Sequence, residues 1–141
     1  MNAARLFLLV GVPAGSMLAA DVSSPQTPCQ PTPSPVSFAK DVQPLLDAYC
    51  SECHAEGRAE LNFVLDEGPS WKNLVGQPSI ESPLVRIAPG DPKASYVWHK
   101  LRGTHLEVGG SGGMMPFQNP PVPDNRLAII EEWIKACAPN N

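Results

Sequence analysis

The sequence predicts an all-α protein of about four short helices joined by long loops. Apolar side chains recur at helical spacing in stretches near 37–53, 70–75, 91–102 and 124–136. The 17 prolines and 11 glycines of the 141-residue chain keep those stretches short. The first of them runs into Cys50-Ser51-Glu52-Cys53-His54, the motif from which the rest of the chain is read.

Two thiols three positions apart fall on one face of a helical turn, where they can reach the two vinyl groups of a haem and close two thioether links. The adjoining His54 is then held beneath the ring as the proximal iron ligand. A zinc site would need two further ligands at short spacing, but Cys29 and Cys137 stand alone. A thioredoxin-like redox pair is expected near a βαβ pattern, which is absent. The reading is one covalent haem c on Cys50 and Cys53, with iron bound by His54. A chain of this size buries only a modest core unaided, so the helices are expected to wrap the haem and the haem-free protein to be largely unfolded or molten.

The first twenty residues read as a secretory signal peptide. Arg5 supplies the positive start, Leu6 to Val12 a short apolar run, and Leu18-Ala19-Ala20 a small-residue cleavage site before Asp21. The apolar run is far too short to span a bilayer, so no integral membrane segment is expected after cleavage. The expected address is the periplasm, where haem is attached and disulfides persist. The remaining chain carries nine basic against fourteen acidic residues, which argues against nucleic acid as a partner. Residues 40–67 hold seven acids against two bases, whereas 72–102 hold five bases against two acids. That unevenness reads as a solvated surface or as a docking patch for an acidic redox protein.

Residues 21–36 are a Pro/Ser/Thr-rich tail, too poor in apolar side chains to pack and biased toward extended conformation. From Ser37, a suitable cap, Phe38, Val42, Leu45 and Tyr49 form a helical stripe; Pro44 implies a kink or a regular part that begins beside it. Leu61 to Leu65 reads as loop or brief strand along the haem edge. A short helix carries Trp71, Leu74 and Val75, and 79–88 is irregular. Pro89-Gly90 suits a turn, Asp91 a cap and Pro92 a first helical position, ahead of the stripe Ala94, Val97, Trp98 and Leu101 that Gly103 ends. The Gly- and Pro-rich stretch 107–123 excludes a helix or interior strand. A last helix runs from near Asp124 to about Ala136.

The iron needs a partner opposite His54. A Met before Pro in a Gly-rich loop fits, since glycine lets backbone pass close to the ring and proline stiffens the chain beyond. Met115 is the candidate, with Met114 as the fallback; both can equally serve as packing. His99 lies beside the stripe of its helix and leans toward solvent or a polar contact, His105 competes from a loop, and an open position is the remaining option.

With these residues in view, the chain resembles a class I-type monohaem cytochrome c over about 37–139. It is most similar to short cytochrome c domains of exported bacterial proteins that carry Phe-x-x-x-Val-x-Pro before the haem motif, here Phe38 to Pro44, and Pro-Gly-Asp-Pro-x-x-Ser-Tyr later, here Pro89 to Tyr96. The resemblance implies a cytochrome c domain at 37–141, first and last helices crossing near Phe38 and Trp133, and electron transfer. Two departures stand out. Val122-Pro123-Asp124 replaces the usual Ser or Thr cap, so Asp124 is expected to take over that role. Cys137 occupies a place where Gly is expected; with Cys29 the other free cysteine in an oxidising compartment, a Cys29–Cys137 disulfide is expected, against intermolecular pairing or two free thiols.

The function that follows is a monomeric electron carrier with redox proteins as partners. A haem subunit or docking module of a larger periplasmic oxidoreductase, attached through the tail, is the alternative. An open-site haem enzyme or gas sensor is a third. No acid or base constellation points to catalysis. Trp71, Trp98 and Arg86 either line the haem and meet its propionates or serve as core and surface.

Overall fold

The chain turns from irregular to helical at Ser37, and the computed structural model, which describes residues 29–141, shows how. The Ser37 hydroxyl accepts from the Lys40 amide at 3.3 Å, and the Asp41 carboxylate accepts from the Ser37 amide at 2.8 Å. The first turn, Phe38–Val42, is a π-helical one, with the Val42 amide reaching back to Ser37 O at 3.3 Å and that of Gln43 to Phe38 O. Pro44 gives the reason: its ring would clash with the Lys40 carbonyl in an α-turn, so the backbone widens just before it. Regular helix α1 then spans Gln43–Tyr49, with Pro44 in its first turn, as the sequence allows. At Cys50 the backbone leaves helical geometry, and the short α2, Ser51–His54, carries the rest of the motif.

Helix α3, Ser70–Leu74, and helix α4, Tyr96–Arg102, match the two middle stripes. The third stripe, expected as one helix from Asp91, is broken. Asp91 caps a 3₁₀ turn at Pro92–Ala94 by accepting from the Lys93 and Ala94 amides, but Ser95 is extended. Its buried hydroxyl donates to Asp91 O at 2.7 Å and accepts from the Ala88 amide at 2.9 Å, while the Tyr96 amide pairs with Val85 O. Local side-chain bonding has displaced a turn of helix. No strand forms among the described residues; isolated bridges such as Val75 to Ile87 and Pro78 to Val85 hold the connection. Leu61 to Leu65 opens as a 3₁₀ turn, Glu60–Asn62, rather than a strand, and a 3₁₀ turn at His105–Val108 opens the Gly-rich stretch that sequence left wholly irregular.

Helix α5, Asp124–Lys135, closes the structure. Trp133, 1% exposed, stacks on Phe38 with ring centroids 5.2 Å apart. Such a pair contributes about 0.5–1.5 kcal/mol beyond its buried area. The Trp133 indole donates to Pro139 O and that of Trp71 to Ala138 O, both at 2.9 Å, so the tryptophans bind chain as well as core. Asn141 reaches the opposite end: its carbonyls accept from the Ser37 hydroxyl and the Phe38 and Ala39 amides. The expected capping by Asp124 does not occur. It starts α5 without a capping bond, and its carboxylate instead pairs with Arg102 at 3.0 Å.

Cys29 and Cys137 are joined, with Cα atoms 5.7 Å apart. Cys137 sits at φ +73, just past α5, where the Cys137 and Ala138 amides return to Ile134 O and Trp133 O. Glycine would suit this left-handed closure at less cost, and the disulfide accounts for the cysteine. The tail expected to lie unpacked is therefore fastened from Cys29, and Val36 is buried in the core. The expected signal peptide and the start of the tail lie outside the described residues. No helix of the described residues is long and apolar enough to cross a membrane.

Candidate functional site

Cys50 stands where α1 gives way to α2, which is why it faces inward while Cys53, a turn later, is exposed. Both thiols are free. Burial pushes the Cys50 thiol up to about 12, and the neighbouring Cys53 and Asp47 add to the shift. The shift keeps Cys50 a thiol rather than a thiolate at neutral pH.

His54 ends α2. Its Nδ1 lies 3.1 Å from the Phe63 carbonyl, and its ring meets that of Phe63 edge-on at 5.3 Å. A carbonyl only accepts, so Nδ1 carries the hydrogen and the lone pair is left on Nε2. Burial lowers the His54 pKa, opposed by the Phe63 bond and the nearby acids Glu60 and Glu81, while Lys100 adds to the lowering. The imidazole is accordingly neutral at neutral pH, the form a metal takes. An imidazole oriented through its second nitrogen is how protein metal ligands are commonly fixed. The chain returns to supply that carbonyl because the Leu65 amide donates to His54 O at 2.7 Å and the buried Gln43 amide donates to Leu65 O at 3.1 Å.

Cys50 lines a small apolar cleft of about 30 Å³, walled by Leu45, Leu46, Tyr49, Leu74 and Val97 among others. No charged or amide side chain lines it. Neither His54 nor Met115 lines it either, but Cys50, Phe63 and Met115 all pack against the one buried core. Among the described residues no three His, Cys, Asp or Glu side chains converge as a metal cluster. The lining has the apolar chemistry that a flat ring tethered at Cys50 and Cys53 would need and offers a bare ion no ligand set, but at about 30 Å³ the cleft is closed well below a ring's size.

The two methionines part company. Met115 is half-buried against the core, whereas the Met114 sulfur lies 3.0 Å from where a Cβ on Gly103 would stand. The competing histidines are engaged elsewhere. His99 uses both nitrogens, on Thr104 Oγ1 and Lys93 O, each at 2.8 Å, which is the polar contact its position implied. His105, 4% exposed, holds Gly112 O through Nε2 at 3.0 Å, with Nδ1 buried and unpartnered. Arg86 lays its guanidinium 4.4 Å over the Phe63 ring and donates to Asn73 O. Trp98 packs on the core from α4, beneath Arg102.

Sequence reasoning missed the Phe63 carbonyl and Gln43, and it counted Lys100 among the five bases of a solvated or docking surface, whereas Lys100 is buried and meets Glu81 and Tyr96 near the Met115 loop. A backbone acceptor leaves no trace in residue type, and Lys100 has the same letter as any surface lysine. No family model, curated protein or solved structure matches the chain.

Proposed function

We propose that this chain is a periplasmic electron-transfer protein with one covalent haem c, of the small cytochrome c type. Cys50 and Cys53 would hold the haem through thioether links, and His54 and Met115 would be its axial ligands. The observation that carries the reading is the imidazole beside two free cysteines that gives its Nδ1 hydrogen to Phe63 O and keeps Nε2 for a metal. The bound group supplies one-electron exchange; the chain's residues fix its surroundings. Phe63 orients His54. The apolar wall from Leu45 to Val97 excludes water, and a low-dielectric setting with a thioether ligand favours the reduced state. With iron held by both His54 and Met115 no substrate would reach it, and the chemistry supplied would be electron transfer rather than catalysis.

The fastening at Cys29 makes residues 29–36 part of the folded surface, which favours a free-standing carrier over a module attached through that part of the tail. The deciding experiment is expression in a host competent in haem ligation, followed by a pyridine haemochrome spectrum and intact mass. The expected product is coloured and heavier than the polypeptide by one haem. Its oxidised form is expected to show the weak far-red thioether-to-iron band, lost in Met115→Leu and kept in Met114→Leu. Colourless protein without added mass overturns the reading; loss of six-coordination in His105→Ala but not Met115→Leu reassigns the ligand.

A further inference from the structure

We propose that Lys100, with Glu81 as its counter-charge, fastens the loop that carries Met115 and so acts as the positioning residue for that side chain. The proposal rests on Met115 being an iron ligand. Lys100 is buried, its side chain 8% exposed, although lysines almost never are unless paired. Its Nζ lies 3.3 Å from Glu81 and donates to Ser111 O at 2.9 Å. Its own carbonyl accepts from the Met115 amide at 2.9 Å. One residue of α4 therefore grips both ends of the segment 111–115, by its side chain at one end and its backbone at the other.

The surroundings are built for that grip. Tyr96, one helical turn before Lys100, donates its hydroxyl hydrogen to Ser111 O at 3.0 Å and accepts from the Ser111 amide at 3.2 Å. His105 donates to the next carbonyl, Gly112 O. Two glycines are dictated by the close approach. A Cβ on Gly110 would land on the Tyr96 ring and 2.6 Å from His105 O, and one on Gly112, at φ +71, would stand 2.9 Å from Glu81 Oε1 and 3.1 Å from Lys100 Nζ. A loop without secondary structure leaves its carbonyls to be satisfied by side chains, and here three side chains from two segments converge on two of them, with Glu81 balancing the charge of one. An apolar residue at position 100 would fill the space without the desolvation cost of a buried ammonium, so the charge is explained by the carbonyl and carboxylate it holds.

The test compares haem-loaded parent, Lys100→Met and Glu81→Gln in three measurements: amide hydrogen exchange at Met115, CO uptake by the reduced protein, and the far-red band of the oxidised protein. Loss of a bond to a charged group corresponds to roughly ten- to hundredfold in a local opening equilibrium. Lys100→Met is expected to speed Met115 amide exchange and CO uptake by that factor and to weaken the band, with Glu81→Gln moving each in the same direction. A role in general stability alone would leave CO uptake unchanged while melting shifts. Should Lys100→Met fail to fold, Glu81→Gln and Tyr96→Phe carry the test, and equal exchange and equal CO uptake in both overturn the proposal. A parent without the far-red band refutes the Met115 reading; a parent with it, beside variants that match it in exchange and CO uptake, refutes the role of Lys100 alone.

Discussion

Two loops pack against the buried core, and each has the same difficulty: backbone carbonyls that no helix or strand satisfies. The loop after His54 is held by Gln43, a neutral amide buried in α1, which donates to Leu65 O and to Asp47 and accepts from the Ser70 hydroxyl. The loop before Met115 is held by a buried charge, Lys100, balanced by the partly exposed Glu81. A neutral hub has no ionic desolvation cost and is indifferent to salt. A charged hub makes a stronger bond and depends on its partner. The pairing teaches that the loop after the motif is fixed by neutral hydrogen bonds, the loop before Met115 by a charge whose hold depends on its counter-charge.

The largest expected effect removes the haem proposed to complete the core. Cys50→Ala with Cys53→Ala leaves no thiol to tether a haem, and the cleft then lacks the group that would complete the core. The protein is expected to keep much of its far-ultraviolet helix signal, to lose near-ultraviolet structure and to bind a hydrophobic dye, the signature of a molten state. Cooperative, native-like melting of this variant would show that the core closes unaided and that neither hub depends on an occupant.

A smaller effect separates the hubs. Gln43→Leu preserves bulk but leaves the buried Ser70 hydroxyl without its partner and Leu65 O with only the long bond from the Ser51 hydroxyl at 3.4 Å. At about 1–3 kcal/mol for each group so stranded, a loss of roughly 2–4 kcal/mol is expected from urea denaturation. The loss is expected to be the same at low and high salt, because no charge is removed. A salt-dependent loss would mean that Asp47, rather than the carbonyl and hydroxyl, dominates what Gln43 does.

The same contrast explains what could be read in advance. The motif, the four helical stretches, the cap at Ser37 and the turn at Pro89-Gly90 are written in neighbouring residues, so pattern and propensity reach them. The meeting of Cys29 with Cys137 followed from the scarcity of alternatives and is now geometry. What stayed hidden depends on contacts distant in sequence. Phe63 matters through a carbonyl that every residue possesses, Ser95 breaks a helix because Val85 pairs beside it, and Lys100 turns inward because Ser111 arrives there.

Asp124 supplies the smallest test, and one that sequence alone framed wrongly. It was expected to cap α5, yet it begins the helix and faces Arg102, with 92% of its side chain exposed. An exposed pair at a helix start contributes about 0.5 kcal/mol at low ionic strength, from the partner charge and the helix dipole together. Asp124→Asn is therefore expected to lower the urea midpoint slightly in low salt and not at all in high salt, where the charges are screened. A capping role would give another result, since an asparagine oxygen caps as well as a carboxylate and the variant would match the parent at either salt. Because Arg102 closes the helix that carries Lys100, a loss confined to low salt would also show that α4 is steadied by this outer pair as well as by its buried one.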